Sequence, residues 1–273
     1  MISFDEARRI VLAGVEPVGY ERVPLERAVG RVLAKPIVAR GPFPAFSASA
    51  MDGYAIARSS FAGSGPWTLP VVGESRTGAL PPELAAGSAC RIFTGAALPP
   101  GADAVVMQED VVRDGDRATF DKAPRAAAHV RFAGEDLKQG DVAITPGTRL
   151  GAFHLALAAS LDYPELVVAR KPRVVIVSTG DELRAPGEPN RPGSVAESNS
   201  IGLRTLALQA GASPEVAPIV RDDRASSRAA IEEALADADL LVTVGGVSVL
   251  ALALMIGSVL VSTLDRKRVG GST

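Results

Sequence analysis

Two hydroxyls, a glycine and two acids in a row form the stretch of this sequence best suited to chemistry. Residues 174–177 are all apolar and β-branched, which predicts a strand buried on both faces. The residues that follow it are Ser178, Thr179, Gly180, Asp181 and Glu182. In open α/β sheets ligands bind at the carboxyl ends of strands, where hydroxyls, close backbone and carboxylates can hold a phosphate-bearing ligand with its Mg²⁺. A solvated turn is the alternative for such a segment taken alone.

The elements around this stretch predict an α/β sheet. A helix is expected over residues 199–210, with Ser198 as its N-cap and Gly211 after its end, and strands are expected over residues 216–220 and 240–244. The resulting order of strand, helix, strand, helix, strand requires a right-handed, mainly parallel sheet. Three strand-end loops then converge on one sheet edge, and their candidate residues are Thr179 to Glu182, Asp222 with Asp223, and Gly245, Gly246 and Ser248.

Three further polar residues stand in turns earlier in the chain. Asp52 precedes Gly53, which is free to take a positive φ, and a structural Asx-turn is the alternative to a ligand role for Asp52. Thr94 follows a strand. It is either part of a hairpin turn or a hydroxyl donor to an anionic ligand. Asp136 follows another acid and could face a cation, although a solvated turn is its default interpretation.

Short strands separated by glycine and proline run from residue 67 to residue 144 and predict a mostly β module inserted into a helical scaffold. The scaffold begins with a helix from residue 4 to 14, for which Ser3 and Glu6 form a capping box, and continues with an amphipathic segment after Pro24. A helix over residues 151–161 is expected to be buried, with His154 as a core or capping residue. The expected division is a scaffold of residues 1–40 and 140–170, an inserted β domain of residues 41–139, an α/β domain of residues 171–249 and an atypical tail of residues 250–273.

The composition excludes several classes of protein. The chain has 273 residues, 47% of them hydrophobic and 22% charged, which is enough for more than one buried core. Its net charge is -2 and its basic residues are scattered, which argues against a nucleic-acid partner and favours a small molecule. One cysteine, Cys90, and a first segment unlike a signal peptide favour a cytoplasmic location. With only two histidines besides, the sequence favours a hard cation on oxygen ligands over zinc.

Six motifs, in order and spacing, resemble the molybdopterin molybdenumtransferase family, that is, the MoeA-type enzymes related to the gephyrin E domain. They are PFPAFSASAMDGYAI, RIFTGAALPPGADAVVMQEDV, GEDLKQGDVAITPGTRL, VVIVSTGDEL, VRDD and GGVSV, and together they cover residues 1 to about 249. The resemblance implies a multidomain fold of the α/β plus β class, with a MogA-like βαβαβ domain and an inserted mostly β domain. It also implies an enzyme of molybdenum cofactor synthesis that accepts adenylylated molybdopterin and molybdate and releases AMP in a Mg²⁺-dependent step.

The resemblance assigns roles to residues of this chain. Position by position, it implies catalytic roles for Asp52, Thr94, Glu182 and Asp222, and metal ligation by Asp136, Glu182 and Asp222. It implies substrate contacts by Ser178, Thr179, Gly180, Asp181, Gly245, Gly246 and Ser248. Carboxylates with Mg²⁺ and hydroxyl or backbone donors suit the cleavage of a phosphoanhydride and the binding of molybdate. The family places its cleft between the β insert of one subunit and the α/β domain of the other, so a homodimer is implied.

The resemblance stops near Leu250. An uncharged segment from Leu240 to Leu264 replaces the acidic loop and the final β-barrel domain of the family, and a frameshift or truncation is our explanation. A membrane span is the lesser interpretation of this segment, because residues 240–244 are already assigned to a strand and two glycines follow them. Two functions therefore stay open, namely the molybdenum-inserting enzyme and an impaired homologue that binds pterin or an intact partner without turnover. A third function, that of a membrane-tethered scaffold, is supported only by the apolar tail.

Overall fold

The computed structural model describes residues 2–245, and within them the chain forms two compact units. One unit is Val23–Leu166, and the described residues before and after it form the other. The helices are α1 (Phe4–Ala13), α2 (Ala152–Ser160), α3 (Asn199–Ala210) and α4 (Arg224–Asp237). The first eleven strands are β1 (Tyr20–Pro24), β2 (Ile37–Val38), β3 (Ala48–Ser49), β4 (Gly53–Ile56), β5 (Trp67–Ser75), β6 (Ala89–Ile92), β7 (Ala104–Met107), β8 (Val111–Asp114), β9 (Arg117–Phe120), β10 (Val130–Arg131) and β11 (Val142–Ile144). The remaining strands are β12 (Glu165–Ala169), β13 (Arg173–Ser178), β14 (Leu183–Arg184), β15 (Val195–Ala196), β16 (Ser213–Val216) and β17 (Leu240–Val244).

The unit of residues 23–166, called the β unit below, contains a six-stranded sheet in the order β7-β4-β6-β5-β9-β8. All its neighbouring strands are antiparallel except the parallel pair β5 and β6. Every residue of β4 is buried, and Ile56, Leu69 and Phe120 lie in the core on one face of the sheet. The prediction of a mostly β module is therefore confirmed.

The second unit, called the α/β unit below, contains a parallel three-stranded sheet in the order β16-β13-β17. Successive residues of β13 point to opposite faces, so Val175 and Val177 pack towards α4 while Val174 and Ile176 pack towards α3. Helices thus cover both faces of β13, which explains why its apolar residues do not alternate with polar ones. The predicted parallel α/β sheet is confirmed.

Several local predictions hold. The Ser3 hydroxyl accepts a hydrogen bond from the Glu6 N–H at 3.2 Å and caps α1. Helix α3 has the predicted bounds and ends at Gly211. The His154 Nδ1 atom accepts the Gly151 N–H at 3.0 Å, so this histidine caps α2 as expected.

Other local predictions are wrong, each for a physical reason. The segment after Pro24 forms only a short 3-10 turn over Leu25–Arg27, because its later backbone pairs elsewhere, as in the 2.7 Å bond from the Gly30 N–H to the Leu150 carbonyl. Strand β16 begins earlier than expected and stops before Pro218, which has no N–H to continue a ladder. Helix α2 buries only Ala158 within this chain.

The domain boundaries expected near residues 40, 140 and 170 stay a prediction. Among the helices that the structure describes, none combines the length and apolar character needed to cross a membrane. The tail of residues 250–273 lies outside the described residues.

Candidate functional site

The loop after β13 is held between the ends of its two neighbouring strands. The Thr179 N–H donates to the Val244 carbonyl at 2.9 Å, and the Gly180 N–H donates to the Val220 carbonyl at 3.0 Å. Thr179 and Val220 also form a parallel bridge beyond the end of β16. The described parts of the three loops that the sequence placed at one sheet edge therefore meet there.

The acids of this edge divide into two kinds. The Asp222 N–H donates to Asp181 Oδ1 at 3.4 Å, which brings these two exposed residues together. Asp223 instead caps α4, because its Oδ1 accepts from the N–H groups of Ala225 at 3.0 Å and Ser226 at 2.9 Å. The Ser226 hydroxyl and N–H hold the pKa of Asp223 below its usual value. The sequence treated Asp222 and Asp223 as one acidic exit, but Asp223 is committed to the helix.

The side chain of Glu182 folds back over Gly180, two residues earlier in the chain. A Cβ atom at Gly180 would lie 2.6 Å from Glu182 Oε2, so the missing side chain leaves the space that the carboxylate occupies. Asp181, in contrast, lines the cavity described below. The sequence left open which of the two acids faces the crevice, and the structure places Asp181 there.

Gly245 has a structural reason to be glycine. Its φ is +99°, and a Cβ atom there would lie 2.4 Å from the Thr179 carbonyl oxygen. The end of β17 can therefore approach the Thr179 loop only without a side chain. Gly246 and Ser248, the other predicted substrate contacts of this loop, lie outside the described residues.

A cavity of about 780 Å³ opens at this edge of the α/β unit. Its charged lining residues are Asp181, Arg184, Glu188, Arg191, Glu197 and Arg221. The segment between β14 and β15 closes on itself, because Arg184 donates to the Glu188 carbonyl at 3.0 Å and Arg191 donates to the Leu183 carbonyl at 3.1 Å. Three arginines and three acids thus line the same cavity as the predicted loop, which supplies guanidinium donors for an anionic group together with carboxylates.

The sequence missed Glu197, a carboxylate of this cavity that is only 5% exposed. Its Oε1 accepts from the Ser200 N–H at 2.9 Å, and its Oε2 accepts from the Ser200 hydroxyl. Burial raises the pKa of Glu197. Hydrogen bonds from Ser200, from the Asn199 N–H and from the Ser178 hydroxyl lower it by more, so this pKa lies below its usual value. Ser198, predicted to cap α3, makes no capping bond through its side chain. In the sequence, the signal that could have identified Glu197 was its position directly before Ser198, the expected N-cap of α3.

In the β unit, Asp52 and Thr94 form a pair. Asp52 Oδ1 accepts from the Thr94 N–H at 2.7 Å and from the Thr94 hydroxyl at 2.8 Å. These two bonds, the backbone one foremost, hold the pKa of Asp52 below its usual value and keep the carboxylate ionised. The structure therefore joins two of the predicted catalytic residues. Thr94 is not part of a hairpin, because β6 and β7 both pair with β4 rather than with each other.

Gly53 does not use the freedom of a glycine to adopt a positive φ. It is glycine because β7 approaches closely, and a Cβ atom there would lie 2.0 Å from the Val106 carbonyl oxygen. Next to it, Arg91 donates to the Gly53 carbonyl at 2.8 Å and to Gln108 Oε1 at 2.5 Å. The main chain around Asp52 is thus fixed from both sides.

Asp136 has a basic partner in the β unit. Its Oδ2 lies 2.6 Å from a guanidinium nitrogen of Arg131, and both side chains are about half exposed. Within residues 2–245, no group of three or more histidines, cysteines or acids is placed to hold a metal ion. The predicted metal roles of Asp136, Glu182 and Asp222 therefore stay predictions.

Comparison with known proteins gives two family matches. Residues 2–161 match the MoeA N-terminal region (domain I and II), and residues 175–252 match a probable molybdopterin binding domain. The chain is 39% identical over 233 residues to a molybdopterin molybdenumtransferase of Nostoc sp., an alignment that covers 84% of this chain and 53% of that protein. It is 36% identical over 252 residues to that of Haemophilus influenzae, covering 91% of this chain and 62% of that protein.

The fold has relatives among solved structures. A molybdopterin biosynthesis moeA protein from Pyrococcus horikoshii OT3 superposes with a TM-score of 0.83 at 33% identity, covering 91% of this chain and 67% of that chain. This chain spans little more than half to three fifths of the length of the curated relatives named above. The first family match alone takes in residues 2–161 of the 273, which is more than half of the sequence. The chain belongs to the MoeA family.

Proposed function

We propose that this chain acts in molybdenum cofactor biosynthesis, where it transfers molybdenum from molybdate to adenylylated molybdopterin and releases AMP. The observation that carries the proposal is the cavity at the carboxyl edge of the β16-β13-β17 sheet, where the predicted loops meet three arginines. Membership of the MoeA family supports it, because relatives of this chain are named molybdopterin molybdenumtransferases. Molybdate and the pterin are substrates in this proposal.

The charged residues of the cavity suit the anionic part of such a substrate. Arg184, Arg191 and Arg221 offer guanidinium donors that can bind phosphate oxygens in pairs. The backbone of Gly180 and the hydroxyl of Thr179 lie at the same edge, where a phosphate can approach the main chain closely. Together these groups would orient the phosphoanhydride and stabilise the charge that develops when AMP leaves.

Mg²⁺ is part of the proposal, and the oxygen donors of the strand-end loops fit this ion by type. Mg²⁺ binds through about one or two carboxylates and completes its shell with water and substrate phosphates. Asp181 and Asp222, which lie together, would hold it, with Glu182 in the same loop. When bound, the ion would neutralise charge on the phosphates. Asp136 could join only after its ion pair with Arg131 opens.

A homodimer is also part of the proposal, with Asp52 and Thr94 of one subunit serving the α/β unit of the partner. Helix α2 supports a partner, because it is almost entirely apolar, yet Phe153 is 91% exposed and only Ala158 is buried. An uncovered apolar helix of this kind indicates a protein interface. We expect sedimentation equilibrium to give twice the chain mass of 28.1 kDa, and a monomer at micromolar concentration would contradict this part of the proposal.

The decisive experiment measures AMP release from adenylylated molybdopterin with Mg²⁺ and molybdate present. We expect release that needs both ions and that falls by about 10- to 100-fold in Asp222→Asn, because the variant loses a charge next to Asp181 while its side chain keeps nearly the same shape. Glu109→Gln, which removes an exposed acid of the β unit, should leave the rate unchanged. Pterin binding without detectable AMP release would favour the alternative, a binding protein without turnover.

A further inference from the structure

We propose that the β unit binds a tetrahedral oxyanion, such as phosphate or molybdate, between Arg91 and Arg113. A second cavity, of about 330 Å³, opens in this unit, and it is lined by Tyr54, Val71, Gly73, Glu74, Arg91 and Arg113. Its volume is near the lower end of the range for small-molecule sites, so it suits a small ligand. The inference goes beyond the proposed function, which uses the cavity of the α/β unit.

The two arginines come from distant strands and meet over one aromatic ring. Arg91 on β6 is the ladder partner of Tyr54 on β4, and its guanidinium carbon lies 5.3 Å from the centre of the Tyr54 ring. Arg113 belongs to β8, the last strand in the order of the sheet, yet its guanidinium carbon lies 6.0 Å from the same centre. The sheet therefore curls and brings β8 back towards β4, which places two positive charges at one cavity.

The acids nearby do not neutralise this pair of charges. Within residues 2–245, neither arginine of the cavity forms an ion pair with an acid. Glu74 lines the cavity, but its Oε2 lies 2.5 Å from a guanidinium nitrogen of Arg76. Asp52, whose Oδ1 accepts both Thr94 donors, is engaged elsewhere in the β unit. Like charges at one cavity repel each other, so an anion bound between them is stabilised by both.

Both guanidinium groups keep N–H donors for such an anion. Arg91 donates to the Gly53 carbonyl at 2.8 Å and to Gln108 Oε1 at 2.5 Å, and its guanidinium carbon also lies 4.9 Å from the centre of the Phe93 ring. Arg113 uses its Nε atom for the Gly115 carbonyl at 2.5 Å. A guanidinium has more N–H donors than these bonds use, and its planar fork can bind two oxygens of one oxyanion. Arg91 is thus held in place while part of its fork stays available.

The hydroxyl of Tyr54 is a further observation that indicates a polar ligand. Tyr54 is only 6% exposed and lines the cavity. Its hydroxyl makes no hydrogen bond with another residue of the described chain. A buried tyrosine hydroxyl usually has a hydrogen-bond partner, and an oxyanion in the cavity would accept from it.

Strand β5 gives the cavity its shape. Val71 pairs with Ala89 and Glu74 with Arg91, so β5 contains one residue more than β6 over this stretch. Gly73 lies in the extra turn of chain with a φ of +146° and contributes no side chain to the cavity that it lines. An irregularity of this kind changes the direction of neighbouring side chains and is common next to binding sites.

Tyrosine ring resonances report on this site directly. The chain has three tyrosines, and of Tyr20, Tyr54 and Tyr163 only Tyr54 lines the cavity. In a chain with ¹³C-labelled tyrosine rings, we expect sodium phosphate or sodium molybdate at constant ionic strength to shift the Tyr54 signals to saturation. Tyr54→Phe assigns these signals, and Tyr20 and Tyr163 serve as internal references. The ion with the lower Kd identifies which oxyanion the site serves. The absence of a saturable shift with both ions, or an equal shift with sodium chloride, would overturn the inference.

Two variants attribute the binding to the arginine pair. Arg113→Gln should raise the Kd of the tighter ion at least about 10-fold, because it removes one of the two charged donors. Arg117→Gln makes the same change on the adjoining strand β9, outside the cavity lining, and should keep the wild-type Kd. Equal Kd values for the two variants would contradict the assignment. Neither titration depends on AMP release, so this inference and the proposed function can fail separately.

Discussion

Gly53→Ala is expected to destabilise the β unit by about 4 kcal/mol, which is exceptional for the addition of one methyl group. The added Cβ would lie 2.0 Å from the carbonyl oxygen of Val106 and 2.9 Å from its carbonyl carbon, both of which are backbone atoms. Strand β4 pairs with β6 on one side and β7 on the other and is buried along its length. Relief of the clash would therefore have to move a central strand and break one of its ladders.

Urea denaturation followed by tryptophan fluorescence checks this expectation. Trp67, the single tryptophan of the chain, begins β5 of the same sheet and therefore reports on the β unit. Gly41→Ala is the matched control, because a Cβ there meets no atom within 4 Å. We expect it to change stability by less than about 1 kcal/mol. If Gly53→Ala and Gly41→Ala unfolded at the same urea concentration, β7 would be able to move away from the added methyl group at little cost, and the argument would be refuted.

The same substitution would disturb the pair formed by Asp52 and Thr94. Gly53 follows Asp52 directly, and the Gln108 N–H after β7 donates to the Asp52 carbonyl at 3.0 Å. A shift of β4 away from β7 would therefore displace the Asp52 carboxylate from the two Thr94 donors. The glycine thus serves stability and the predicted catalytic pair together, and the two effects should appear in the same variant.

The sequence was enough to predict which residues meet at the carboxyl edge of the α/β sheet, because the topology alone determines this. A buried β-branched strand, two further strands and two helices permit one right-handed arrangement, and that arrangement brings Thr179, Asp222 and Gly245 together whatever the side chains do. The roles of Asp52 and Thr94 were expected only from the family resemblance, and their pairing was not predicted. The two residues are 42 positions apart, and the ladders of β4 and β6 bring them into contact.

What the sequence did not predict depends on tertiary packing. Glu197 was not singled out because no periodic pattern encodes its burial, although its position next to the expected N-cap of α3 was an available signal. Asp223 and Asp222 are the same residue type in adjacent positions, and only the start of α4 assigns one of them to a cap. Gly53 looked like a turn glycine because a close approach of two strands and a positive φ require the same residue.

Asp239→Ala is expected to destabilise the α/β unit by about 3 kcal/mol. The Asp239 side chain is only 7% exposed, and its two oxygens accept from Arg170 at 2.8 and 3.0 Å. Its Oδ2 also accepts from the Arg173 N–H at 2.7 Å, at the first residue of β13. Truncation would leave these donors without their carboxylate and release the start of the strand that carries the Thr179 loop. Arg170 is 37% exposed, so water can replace part of its contact, and we therefore take the lower end of the usual range for a broken buried pair.

Unfolding followed by far-ultraviolet circular dichroism measures this effect, with hydrogen exchange of the β13 amides as the local readout. Glu215→Ala is a suitable control, because Glu215 also pairs with an arginine of this sheet, at 3.9 Å from Arg173, but both side chains are exposed. Such a pair contributes less than about 1 kcal/mol. Asp239→Asn, which keeps an acceptor for the Arg173 N–H, should fall between the two. If Asp239→Ala cost no more than Glu215→Ala, the start of β13 would be held by its ladders alone, and the buried carboxylate would have no part in positioning the loop that forms the cavity.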